Sequence, residues 1–366
     1  YQDVNGNWGK YESVINANYN YGSTVTWNRN ADATYKAVNY SEKVTGNIVK
    51  NIDIERNKYT QTVMVRYENA DGSFTNYNKE VSEDKFYGST YTWNRNADTV
   101  YKAANIPDYT VTGTKENKVS IYRNTHTITV IGDSHVTSVI GSGTYRHGQT
   151  ITISANTFSD GYCFSKWEND DDTNASKIVT VNGNATYKAI SKAKDDTPYK
   201  VEHYQMNLDG KNYTLKETEN RTGTTDTKLS TLNISAKNYI GFSFDSSKTE
   251  RNSDVINGNG STVIKYYYTR NSYSLTVNAG TGIDSVSVLM STNMKDIQST
   301  VKKKVISVPF GASVTINADV SDGYTWSKWY GSYTQWSKTC IFYIPANMFS
   351  HFHYSNSFSF IFNFLI

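Results

Sequence analysis

The chain has 366 residues, with 37 Lys and Arg against 34 Asp and Glu, and its formal net charge of +3 is scattered along the whole length. Balanced, unclustered charge gives no electrostatic footprint for a nucleic-acid partner, and the one basic block, Lys302-Lys303-Lys304, is flanked by Val301 and Val305 and reads as a solvated strand edge or loop. Two cysteines, Cys163 and Cys340, are too few for a disulfide framework and lack the C-x-x-C spacing of zinc or redox sites, so two free thiols are expected, at least one of them buried.

Thirty tyrosines and 14 phenylalanines sit in a chain that is only 37% hydrophobic. That balance favours strands and turns, because aromatic and β-branched side chains suit a half-buried pleated surface while Asn and Gly suit tight turns. The chain opens at Tyr1 without a charged n-region or apolar h-region and reads as an internal fragment.

The first segment, 1–60, carries the turn Asn5-Gly6, the string YGSTVTWNRNADATYKA from Tyr21 to Ala37, and the closing Ile54-Glu55-Arg56-Asn57. Asn30 to Ala37 and its twin from Asn96 are the helix-like stretches, two turns each with Asn as N-cap. The second segment, 61–125, repeats this wording: YGSTYTWNRNADTVYKA from Tyr87 to Ala103, the turn Asp71-Gly72, and the closing Arg123-Asn124. These are two copies of one A repeat, the first truncated at its N-terminus, and an Asn-Gly or Asp-Gly pair between strand-like runs is a strong hairpin signal.

A different B repeat spans 126–196. Thr127-Ile128-Thr129-Val130 and Thr150-Ile151-Thr152-Ile153 alternate polar with apolar, as strands with one wet face must, and SDGYCFSKW ends at Trp167. An A-like segment, 197–271, starts with the strand Lys200 to Met206, turns at Asp209-Gly210, and closes with Ser261 to Tyr268 before Arg270-Asn271. A second B repeat, 272–347, has Ser313-Val314-Thr315-Ile316 and SDGYTWSKW ending at Trp329. The atypical tail, 348–366, abandons the B pattern and is too short and too broken by Ser and Asn to span a bilayer.

In their strand, Asp-Gly turn, Tyr-Gly-Ser-Thr and Arg-Asn order, the A segments resemble mucin-binding-protein type repeats of bacterial surface proteins. The B segments, with Gly143-x-Tyr145-x-x-Gly148, Gly161-Tyr162 and Phe164-Ser165-Lys166-Trp167, resemble the divergent internalin B-type repeat. The resemblance implies a mainly β chain, a tandem array of small β-grasp-like or β-sandwich modules with at most short helices. It further implies a non-catalytic, extracellular region of a Gram-positive surface protein, wall-attached through sequence elsewhere, acting as an adhesin stalk and monomeric rod. Direct binding of host or neighbouring-cell glycans and glycoproteins is the alternative.

Trp27, Trp93, Trp167 and Trp329 recur at fixed repeat positions, and core packing is favoured over glycan stacking, since burying one large aromatic contributes on the order of 2–3 kcal/mol. Tyr91, Tyr101 and Trp326 are the candidate ligand-facing aromatics; Trp326 alternates with Trp329 at odd spacing and should point to the opposite face. No recurring triad or carboxylate pair supports catalysis, and neither cofactor nor metal is called for. The acidic run Glu168 to Asn174 lacks the Gly and distal Glu of a calcium loop, and His351-x-His353 lies in the atypical tail.

Overall fold

The computed structural model describes residues 1–13, 15–290, 303–331, 337, 339–343 and 357–361. The chain is mainly β, 56% strand, built of many small sheets, and among the described residues one short 3₁₀ turn occurs at Leu229–Thr231. It divides into two compact units, residues 1–157 with 164–191, and residues 158–163 with 192–366.

In the first unit, the earliest element is the antiparallel hairpin Thr24–Arg29 with Val38–Lys43, which sets Trp27 opposite Tyr40. Next comes a three-stranded sheet whose central strand, Lys58–Tyr67, runs antiparallel to Asn78–Phe86 and parallel to Lys115–Ile121. Alternation along the central strand sends Val63 and Val65 inward. There they meet Tyr91 and Ile106 from the hairpin Thr90–Arg95 with Ala104–Thr110, together with Val111 and Ile121. Two further sheets follow: Gly143–Arg146, Thr125–Gly132, Ala185–Ala193 and Tyr162–Trp167 in one, and Ser176–Thr180, Thr150–Phe158 and Val136–Ile140 in the other. Their inward residues include Ile128, Val130, Ile151, Ile153 and Trp167.

In the second unit, Thr197–Met206 and Val263–Arg270 form a parallel central pair flanked by Tyr213–Gly223 and Phe242–Arg251. The last sheets are Lys303–Pro309, Ser272–Asn278, Ser357–Ile361 and Tyr330–Gly331, and Ile283–Met290, Ser313–Val320 and Thr339–Tyr343. Their core gathers Leu275, Val277, Val286, Val308, Val314, Ile316 and Trp329. One plan recurs: the opening strand of a segment lies parallel to its closing strand, as in Lys58–Tyr67 with Lys115–Ile121 and Thr125–Gly132 with Ala185–Ala193.

Two expectations are corrected. First, Ser357–Ile361, set aside as atypical tail, runs parallel to Ser272–Asn278, the place that Ala185–Ala193 holds beside Thr125–Gly132. Its Ser-Phe-Ser-Phe wording has the period of two that a strand needs.

Second, Asn30 to Ala37 is not helical. The Asp32 carboxylate takes the amides of Thr34 and Tyr35 at 2.7 and 2.8 Å and pairs with Arg29, and Asp98 repeats this with Val100, Tyr101 and Arg95. A side chain that supplies the backbone's hydrogen bonds in a turn removes the drive toward helix. The same amides, Tyr101 first, hold the Asp98 carboxyl below its ordinary value.

The Asp71-Gly72 pair is the second half of a four-residue turn. Gly72 N–H donates to Asn69 O at 3.0 Å, and Asn69 N–H to Ser73 O at 2.7 Å. Asn5-Gly6 and Asp209-Gly210 end equivalent turns, whose amides donate to Asp3 O and Asn207 O, each at 3.2 Å. The glycine takes the left-handed position, φ 89° at both Gly6 and Gly72, which an L side chain resists.

Candidate functional site

The Arg-Asn dipeptide that closes each A segment builds the same contact three times. Arg56 Nε donates to Gln2 O at 3.0 Å and its Nη1 to Tyr87 O at 2.9 Å. Arg123 repeats this with Glu68 O at 2.9 Å and His147 O at 2.8 Å, and Arg270 with Met206 O at 3.0 Å and Phe310 O at 2.6 Å. Each guanidinium therefore ties the opening hairpin of its own segment to a turn of the next one. The following asparagine adds a backbone bond, since Tyr87, His147 and Phe310 N–H donate to the carbonyls of Asn57, Asn124 and Asn271 at 2.9, 2.8 and 2.8 Å.

An aromatic ring lies against each guanidinium: Tyr35 at 4.8 Å from Arg56, Tyr101 at 5.2 Å from Arg123 and Phe242 at 4.7 Å from Arg270. Only arginine offers a planar fork that bonds two carbonyls while stacking on a ring. The turns reached by the fork place glycine next, Gly88, Gly148 and Gly311, all at φ 78°. A Cβ at Gly148 or Gly311 would stand 3.1 or 3.2 Å from the guanidinium, so the position excludes side chains twice over. Burial pulls the Arg270 guanidinium below its ordinary value.

At the Arg123 contact, Glu68 is buried, its Oε2 accepting from Arg123 N–H at 2.9 Å and its Oε1 from Arg146 Nε at 2.8 Å. Gln2 holds the matching place in the first segment, accepting from Arg56 N–H at 3.3 Å. At Lys194 the arginine is absent. Thr225 N–H donates to Lys194 O at 2.9 Å, and Asp226, at φ 62°, stands where the other turns place glycine.

The sequence-predicted aromatics are placed differently from expectation. Tyr91 is 1% exposed in the core, because it is an inward position of its strand, and its hydroxyl finds no hydrogen-bond partner. Burial pushes that hydroxyl above its ordinary value. Tyr101 carries Arg123 and Arg95 on its ring, at 5.2 and 5.5 Å, and packs edge-on to Tyr67, so the chain itself occupies the surface meant for a ligand. Trp326 packs edge-to-face on Trp329 at 5.2 Å rather than on the opposite side, because residues 324–328 form no strand and strand alternation does not govern them. Trp167 and Trp329 are 1% and 0% exposed, while Trp27 and Trp93 are only half-buried.

Cys163 is a free, half-buried thiol; the side chain of Cys340 and both His351 and His353 lie outside the described residues. In the acidic run, Glu168 pairs with Lys188 and Asp170 with Lys177.

A family model for the divergent InlB B-repeat domain matches residues 125–195. This is the stretch from the strand Thr125–Gly132 through the closing strand Ala185–Ala193, and it supports the internalin-type reading of the first B segment. No curated protein matches the chain. Among solved structures, the Bacillus anthracis TIE protein is 10% identical, with 89% of this chain and 73% of that one covered and a TM-score of 0.25. The pilus adhesin SpaC from Lactobacillus rhamnosus GG is 9% identical, with 79% and 39% covered and a TM-score of 0.16. Both likenesses are too distant to carry an argument about this chain.

Within the A-like segment, sequence reading missed a polar cluster under the sheet. His203 is fully buried; its Nδ1 lies 2.9 Å from Tyr268 Oη and its Nε2 3.0 Å from Glu219 Oε1. Burial holds the imidazole below its ordinary value, with Glu219 pulling weakly the other way. Burial alone would raise Glu219, but Arg221 and Lys237 outweigh it and bring that carboxyl down to about 2.

Both shifts make acid unfavourable. His203 enters the fold neutral, so the unfolded chain binds the extra proton as pH falls through about 6.5; the Glu219 contribution is lost only below about 4.5. The urea midpoint for the second unit is therefore expected to drop between pH 7 and pH 5. His203→Gln is expected to flatten that drop, and an unchanged drop in the variant would assign it elsewhere.

Proposed function

We propose that the chain is a non-catalytic, extracellular repeat region of a bacterial surface protein, serving as an adhesin stalk or adhesive array and attached through regions outside this sequence. The observation that carries this reading is the Arg-Asn contact, built three times with the same donors, the same class of acceptor and the same glycine. Repetition of a joint, as opposed to a cleft, is what a protein needs when spacing between its ends is the function. The divergent InlB B-repeat match at 125–195 supports the surface assignment, and the A segments serve in this reading as mucin-binding-like modules of the same monomeric rod.

Small-angle scattering tests the proposal. A single globule of this length has a radius of gyration of about 21 Å; a value well above that, with a monomeric mass, is expected. A compact value would sink the stalk.

Direct glycan recognition is favoured by one observation, a tyrosine platform in the A-like segment. Tyr204 stacks on Tyr267 at 5.3 Å, with Tyr213 edge-on at 5.0 Å, and Glu202 and Glu250 accept from the hydroxyls of Tyr204 and Tyr267 at 2.8 and 3.0 Å. Rings and fixed carboxylates together suit a sugar's apolar face and its hydroxyls. Binding on a glycan array that disappears in Tyr204→Ala is the expected result under this reading; a blank array leaves the stalk alone.

A further inference from the structure

We propose that His126 and His147 form a two-imidazole site for a divalent transition-metal ion of the Zn²⁺, Ni²⁺ and Cu²⁺ class. His126 stands on Thr125–Gly132, and His147 follows the antiparallel partner strand Gly143–Arg146. Across the pair, His126 Nε2 and His147 Nδ1 lie 3.2 Å apart, with ring centroids 5.4 Å apart and planes inclined by 59°. Both rings are half-buried.

That separation has two chemical readings that share one geometry. Without a metal, one nitrogen carries a proton and donates it to the other. With a metal, two Zn–N bonds of about 2.0–2.1 Å at the tetrahedral angle set their nitrogens about 3.3 Å apart. An ion seated about 1.2 Å off the line between the nitrogens takes the place of the shared proton, each ring turning its nitrogen lone pair toward it.

The backbone under His147 is already fixed. Its N–H donates to Asn124 O at 2.8 Å, and its carbonyl accepts from Arg123 Nη1 at 2.8 Å. A ligand set held by such contacts loses little freedom on binding, which favours affinity. The second B segment is an internal control, because its equivalent residues are Tyr273 and Phe310. Both imidazoles are replaced together there, while the turn contact to Asn271 and Arg270 is kept.

Among the described residues, no group of three or more His, Cys, Asp or Glu is placed to hold a metal. The ion would therefore keep water on its remaining positions. Imidazole ligands select Zn²⁺, Ni²⁺ and Cu²⁺ over the oxygen-seeking Ca²⁺ and Mg²⁺.

The test is calorimetric titration of the full chain with Ni²⁺ and with Zn²⁺, beside His126→Tyr and His147→Phe. These substitutions install the residues that the second B segment carries at the same places, and a urea curve without metal verifies the fold of each. One equivalent of binding is expected to vanish in each variant, together with the rise in melting temperature that Ni²⁺ gives the parent chain. Sites elsewhere, such as His351 and His353, remain equal in all three proteins. Identical stoichiometry and affinity in the parent chain and both variants, or no binding at all, would overturn the proposal.

Discussion

Tyr91→Ala is expected to destabilise the first unit by about 3–5 kcal/mol, the range for deleting a large aromatic from a closed core. Its ring is 1% exposed in the cluster of Val63, Val65, Ile106, Val111 and Ile121. Trp93→Ala, two residues away on the same strand, is expected to cost less, about 1–2 kcal/mol, because Trp93 is half-buried and already gives part of its surface to water. Tyr91→Phe carries the opposite sign. The buried hydroxyl has no partner, and removing an unsatisfied polar group is worth about 1 kcal/mol or more. Hydrogen exchange on the full chain checks all three: residues 58–121 should lose protection in Tyr91→Ala and gain it in Tyr91→Phe. Greater damage from Trp93→Ala than from Tyr91→Ala would mean that the core is centred elsewhere.

Arg123→Ala is the second large effect. It removes donations to Glu68 O and His147 O and the contact with the Tyr101 ring. Hydrogen bonds from charged donors contribute about 1.5–3 kcal/mol each, and the ring contact about 0.5–1. Such terms are not additive, and a loss of about 3–5 kcal/mol is expected. Arg123→Lys should recover only a small part, because an ammonium cannot bond two divergent carbonyls from one plane. Glu68→Gln should be mild, since Gln2 holds the equivalent place in the first copy.

The calorimetric signature of Arg123→Ala is separation of melting transitions. Residues 58–124 and 125–191 are expected to melt together in the parent chain and apart in the variant. A single unchanged transition in Arg123→Ala would show that the contact does not couple its neighbours. Coupling of the two segments through other contacts would follow from that outcome. The guanidinium contacts argue for coupling through Arg123, because a bond that spans two segments is lost when either one unfolds.

The class of structure is legible in the local pattern of residues. Alternation in Thr127 to Val130, Thr150 to Ile153 and Ser313 to Ile316 is visible without coordinates, because a strand's side chains must alternate between faces. The B wording pointed to the internalin-type repeat that matches 125–195. The recurring Arg-Asn was also legible as a pattern. Its role was not, because the acceptors are backbone carbonyls, and every residue type has one.

Which aromatic lies inside depends on how the strands pack. Tyr91 and Trp93 share a strand face by spacing and pack against the same cluster, yet Tyr91 sits at its centre and Trp93 at its margin. Asp32 and Asp98 overrode the helical reading through turn hydrogen bonds that a propensity cannot foresee. The Ser-Phe alternation of residues 357–360, set aside in the sequence as part of an atypical tail, belongs to a strand whose parallel partner is Ser272–Asn278. His126 and His147, 21 residues apart, meet because a hairpin folds back between them. Local sequence sets the period and the turns; which side chains converge across strands depends on register and long-range pairing, which no short window of residues encodes.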